Sequence, residues 1–230
     1  MTMSTPATPL TPPALAPSFD ARPVPRALIE EVLALARRAP SGVNTQPWQV
    51  CVVQGASLAA MRAGAGAALA QAEADTEARA RFWAAFRRLP GHSHWDGPAW
   101  EQVGPALSDA ANAAFGAGQI RSADDLARYF DLFGAPVALM CLIDRKLGLG
   151  SVLDYGMFLQ TIVVAAQARG LQAVVQPGWR GLADAVAPVL QVHEDDMQLL
   201  AGVALGFAPA DAPAGQATSV PADSFTRWHG

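Results

Sequence analysis

Apolar positions along this chain change period several times, and each change marks an element. Leu28, Ile29, Val32, Leu33, Leu35 and Ala36 recur at three- and four-residue spacing, the signature of one buried helix face. Pro23-Val24-Pro25 stops any preceding structure, Pro25 suits a first helical turn, and Arg37 and Arg38 favour the C-terminal end. Pro40 ends the helix. After a short polar stretch, WQVCVVQG (48–55) is valine-rich and closed by Gly55, which predicts a buried strand of about seven residues.

Residues 56–130 carry less pattern. Alanine-rich segments at 58–63 and 67–86 predict helix, and LPGHSHWDGPAW (89–100) reads as an irregular loop from its Pro and Gly content. From 134 the signals sharpen. GAPVALMCLIDR predicts a turn and a buried strand ending at Asp144, KLGLGS a loop, and VLDYGMFLQTIVVAAQARG a long, largely buried helix. Met157, Ile162, Val163 and Ala166 carry that helix's pattern, and Gly170 suits the position after its last turn. LQAVVQP is a strand stopped by Pro177, 179–190 a short helix interrupted by Pro188, and MQLLAGVALGF a last strand. The remaining tail is Pro/Ala-rich yet ends with Phe225 and Trp228, two large aromatics suited to docking. No fixed-period repeat appears. Short apolar strands separated by helices predict an α/β or α+β sandwich around a central sheet.

Composition narrows the class. A chain of 230 residues is one domain, or a core with an insertion, and buries roughly 70% of its unfolded surface. It is 51% hydrophobic, much of that alanine, with 16% charged residues and a net charge of −4. No cluster of Lys and Arg exceeds three residues, which argues against nucleic acid as a partner. Cys51 and Cys141 both lie in apolar runs and read as reduced core residues. Residues 1–18, without Lys or Arg, read as a flexible arm and not as a secretory signal. The longest clean apolar run, 135–143, is too short to span a membrane, so a cytoplasmic location is expected.

The candidate chemistry sits in APSGVNTQPWQV (39–50). Ser, Asn and Gln between two prolines describe a loop that presents polar groups, more than a connector requires. The other polar clusters read as surface: His92, His94 and Asp96 lack a third ligand on a scaffold, His193 precedes an acidic turn, and His229 ends the tail. Trp83, Trp95 and Trp100 in the irregular region read chiefly as packing residues, with stacking on a ligand as the alternative. No Ser/His/Asp constellation is evident.

That loop resembles the flavin-binding loop of the nitroreductase family, A-P-S-x-x-N-x-Q-P-W followed by a strand. The resemblance extends through PVPRALIEEVLALARRAPSGVNTQPW, FGAPVALMCLIDR, DYGMFLQTIVVAAQARGLQAVVQPGW and DSFTRWHG, in family order over about two thirds of the chain. It implies an α+β nitroreductase-like sandwich with a central, mainly antiparallel sheet flanked by helices, at 19–208, with 56–130 as its variable part. It also implies a homodimer with FMN at the interface and the 209–230 tail docked on the partner subunit. NAD(P)H would reduce the flavin, which would then reduce a nitroaromatic, quinone or similar small acceptor. Carried over residue by residue, Pro40, Ser41, Gly42, Asn44 and Gln46 would form the cofactor-binding loop, with Gln46 and Trp48 bracing the loop or the dimer contact. Gln176, Pro177 and Gly178 would place backbone groups beside the flavin ring, where N–H dipoles favour its anionic reduced form. Gln160 is a further candidate on the long helix.

The chain departs from the family where the cofactor phosphate is gripped. The family's basic stretch before the PVP turn falls here on Pro13, Ala14, Leu15, Ala16 and Pro17, and a later basic position falls on Ser219. Two lost charge-assisted hydrogen bonds would cost ~3–6 kcal/mol, or roughly 10²–10⁴-fold in affinity. Arg22, Arg180 and Arg227 are candidate substitutes. The departure motivates two alternatives: a flavin-free member of the fold acting as a dimeric small-ligand binding or regulatory protein, or a flavoenzyme with specialised chemistry such as dehalogenation.

Overall fold

The computed structural model describes residues 18–77, 123–193, 196–211 and 222–229. Four strands form one antiparallel sheet in the order β1-β2-β4-β3, with β1 at Gln49–Gln54, β2 at Val137–Asp144, β3 at Gln172–Gln176 and β4 at Met197–Gly206. Helices cover both faces. On one lie α1 (Arg26–Ala36) and α4 (Leu149–Gln167); on the other lie α2 (Gly55–Ala74), α3 (Ala123–Phe130) and α5 (Ala183–Leu190). The α+β sandwich expected from the sequence is the observed fold.

β2 shows why its sequence is apolar without a break. Val137, Leu139, Cys141 and Ile143 enter the core beneath α1 and α4, and the alternate residues Ala138, Met140 and Leu142 enter the other. A strand covered on both faces has no polar side to advertise. The same alternation separates the cysteines. Cys141 packs in the α1/α4 core and Cys51, one strand away, on the opposite face, so both are free thiols. Burial pushes the Cys141 thiol up to about 12.

Four elements differ from the pattern. β1, expected to be a buried strand, is an edge strand in which only Val53 is buried, and α4 begins at Leu149, inside the expected KLGLGS loop. α2 runs unbroken through Gly64 and Gly66, where the sequence predicts a gap. Gly64 marks a close approach: a Cβ there would sit 3.1 Å from the Ala185 carbonyl of α5. The 179–190 segment begins as a 3-10 helix at Pro177–Leu182, and Pro188 lies inside α5 without interrupting it. The helix ends one turn later at Gln191, on left-handed backbone. Gly170 does close α4, at φ +70, and the Leu171 N–H returns to the Ala166 carbonyl.

α4 is long and apolar enough by composition to cross a bilayer, with a hydropathy of 1.5. Here it is a core helix: Tyr155, Phe158, Ile162, Ala165 and Ala166 are buried against the sheet and α1.

Candidate active site

The loop between α1 and β1 is shaped by its own backbone and held by α4. Val43, Asn44 and Gln46 adopt positive φ of 46°, 59° and 47°. Asn tolerates that region, but a β-branched valine is strained there. Clamps at both ends sustain the conformation. At the near end the Gly42 N–H donates to Asp154 Oδ2 at 3.1 Å, and the Gln46 N–H donates to Ser41 Oγ at 3.0 Å. At the far end Trp48 stacks on Phe158, centroids 4.8 Å apart and planes within 4°, and the Tyr155 hydroxyl donates to the Gln49 carbonyl at 2.8 Å. Burial holds the Tyr155 phenol well above its ordinary pKa. Asp154, Tyr155 and Phe158 lie within five residues of one helix, so one short stretch of α4 grips the whole loop. Between the clamps Asn44 and Gln46 are exposed and Val43 is 97% exposed.

Beside the loop lies an open groove of about 630 Å³, lined by Pro40 and by Leu149, Val152, Leu153, Gly156, Met157 and Gln160 of α4. Those six residues fall on one face of the helix. The walls are apolar, and the Gln160 amide is the polar group among them. Of the expected site residues, Pro40 and Gln160 line this groove, and Ser41, Gly42, Asn44 and Gln46 lie on the loop that continues from Pro40.

Gln176, Pro177 and Gly178 lie elsewhere. They end β3 on the opposite edge of the sheet, at the same end as the start of β1, with β2 and β4 between them. Three strand spacings separate the two edges, about 14 Å. Within one protomer the two groups do not converge. Their chemistry differs too. Gln176 is fully buried; its Nε2 donates to the Tyr129 carbonyl at 2.6 Å, and its Oε1 accepts from Trp179 Nε1 at 3.1 Å. Pro177 has no N–H, and the Gly178 N–H donates to the Tyr129 hydroxyl at 2.9 Å. Trp179 is fully buried over Gly202, where a Cβ would come within 2.5 Å of its ring. Burial raises the Tyr129 phenol to about 12 and lowers the pKa of the Arg180 guanidinium, whose Nε donates to the Pro177 carbonyl.

The candidate substitute cations are dispersed. Arg22 lies 3.7 Å over the Phe207 ring, beyond the C-terminal end of β4 and so at the opposite end of the sheet from the loop. Arg180 belongs to the turn just described, and Arg227 is exposed in the tail, as are Phe225 and Trp228. The His193 carbonyl accepts from Asp196 and Met197 N–H groups in a turn, and no metal-binding group appears among the described residues. Residues 13–17, Trp83, His92, His94, Trp95, Asp96, Trp100 and Ser219 lie outside those residues. Sequence reasoning missed Asp154, Tyr155 and Phe158 as loop clamps and Tyr129 as the turn's partner. The available signal was Asp154 itself, the one charged residue in the 19-residue α4.

The family model for the nitroreductase family matches residues 18–207. The chain is 32% identical over 212 residues to a 4-nitrobenzoate reductase of Pseudomonas putida, covering 85% of this chain and 82% of that one. It is 31% identical over 204 residues to a nitrobenzene nitroreductase of Ectopseudomonas oleovorans, covering 86% and 84%. Among solved structures, the FMN and NADPH-dependent nitroreductase NfnB of Sphigopyxis sp. strain HMH matches with a TM-score of 0.74 at 28% identity, over 93% of each chain.

Proposed function

The chain belongs to the nitroreductase family, and from that premise we propose that it is an oxidoreductase passing electrons from NAD(P)H through FMN to a nitroaromatic, quinone or similar acceptor. The observation that carries the reading is the clamped loop beside the apolar groove. Its volume of about 630 Å³ falls within the range of roughly 300–1,000 Å³ usual for small-molecule sites. Apolar walls with the Gln160 amide among them, beside a polar loop, suit a flat heteroaromatic ring. Ser41, Asn44 and Gln160 would hydrogen-bond that ring and its ribityl chain, with Pro40 and Gly42 packing against them. The chemistry such a cofactor supplies is two-electron transfer from a nicotinamide to the acceptor. The protein's own part is to bind, orient and exclude water.

Dimerisation completes the proposal. Leu149 and Leu153 of α4 are 51% and 68% exposed, and Phe225 and Trp228 of the tail 70% and 92%. Large apolar side chains so exposed in one protomer are suited to a partner copy, which would also bring a second copy of the 176–178 turn within reach. The basic positions absent at 13–17 and 219 bear on how tightly the phosphate is held. They also motivate a flavin-free reading, but the reductases among the relatives lend it no support.

The test is NADH or NADPH oxidation by the purified protein with added FMN, using nitrobenzene and 4-nitrobenzoate as acceptors. Oxidation that requires both FMN and the nitroarene is the expected result. A folded protein inert under saturating FMN overturns the proposal.

A further inference from the structure

We propose that Asp154 is a positioning residue for the flavin-facing loop, acting through the Gly42 N–H. For its cofactor arm alone this rests on the function proposed above. The carboxylate is 8% exposed, and its side-chain hydrogen bond to Gly42 spans 112 residues of sequence. Burying a carboxylate on an otherwise uncharged helix is unfavourable unless it is hydrogen-bonded. A charge-assisted bond to a backbone N–H meets that need and is about twice as strong as a neutral one. Its location gives the bond its consequence. Tyr155 and Phe158 hold only the far end of the loop, at Gln49 and Trp48. Asp154 holds the near end, immediately before the left-handed residues Val43 and Asn44. Without it, Ser41 and Asn44 are no longer fixed relative to the groove wall that the same helix supplies.

Asp154→Ala removes the acceptor and leaves the far clamp intact. Asp154→Asn keeps an oxygen that accepts from the same N–H. Two readouts separate the claims. Amide hydrogen exchange at Gly42, measured without cofactor, reports the clamp. FMN dissociation constants from flavin fluorescence quenching report its effect on the site. In the alanine variant, Gly42 exchange accelerates about tenfold or more and FMN binding weakens about 10–100-fold; the asparagine variant recovers both to within a few-fold. Unchanged Gly42 exchange in Asp154→Ala overturns the clamp. Faster exchange with unchanged FMN affinity overturns its role in the site, and an asparagine variant as impaired as alanine overturns the hydrogen bond as the cause. If the alanine variant does not fold, Asp154→Leu, of similar bulk and without an acceptor, is read in its place with the same expectations. Wild-type protein that binds no FMN sinks the proposed function, and the exchange measurement still decides the clamp.

Discussion

Ser41, Asn44 and Gln46 stand at or near the surface, two of them on left-handed backbone. Gln176, Gly178 and Trp179, at the same end of the sheet but on its other edge, are buried with their polar groups committed inside the chain. The loop is strained and held by α4 together with its own Gln46–Ser41 hydrogen bond. The turn carries no left-handed residue and is held by Tyr129 of α3 and by its own tryptophan. Presenting a group to a ligand and bracing a fold ask opposite things of a polar side chain. The first leaves its hydrogen-bonding capacity open; the second uses it up. The contrast accords with the binding role proposed for the loop and gives the turn's buried side chains a supporting one, with its outward surface left to backbone and to Pro177.

This contrast predicts that damage to the turn is read in stability and damage to the loop in binding. The largest effect is expected from Trp179→Ala. The ring is fully buried between Gly202 and Phe130, so its removal costs about 3–5 kcal/mol in denaturant unfolding. A loss below ~1 kcal/mol would mean that the turn is not a brace.

Next is an alkaline transition. In the folded chain the Tyr129 phenol titrates at about 12, against 10.0 ordinarily, so between those values the folded state holds the proton more tightly than the unfolded one. Stability present in full below pH 10 is then lost as pH rises toward 12, by roughly 2–3 kcal/mol. Cys141 titrates in an overlapping range, so the diagnostic is the difference between wild type and Tyr129→Phe, which should show a flatter decline. Equal slopes would remove Tyr129 from the account.

The smallest stability effect belongs to the loop. Ser41→Ala loses the acceptor for the Gln46 N–H and should change stability by less than about 1 kcal/mol, while FMN binding weakens about 3–10-fold. A variant destabilised like Trp179→Ala with unaltered FMN affinity would invert the comparison.

How much of this was legible in the sequence follows from where each signal lies. β2 and β4 were readable because their burial is written in consecutive residues, and α4 because its apolar residues recur at helical spacing. The loop was readable because Pro40, Asn44 and Pro47 punctuate it and a family pattern matches it. Its clamps were not, since the partners of Gly42 and Gln49 are 112 and 106 residues away and no local spacing encodes such a pairing. The fate of Gln176 was hidden for the same reason: a glutamine ending a strand looks available until Tyr129, 47 residues earlier, is brought beside it. The glycines of α2 misled because a close helix–helix approach and a break use the same residue.

On the function proposed above, the clamped loop and its groove hold a flavin although the family's phosphate-gripping basic residues are absent at 13–17 and 219. The visible absorption spectrum of the purified protein, after incubation with FMN and gel filtration, tests it most directly. Retained flavin bands that bleach on adding NADH or NADPH and return on adding a nitroarene are the expected result. A folded protein that emerges colourless would contradict it.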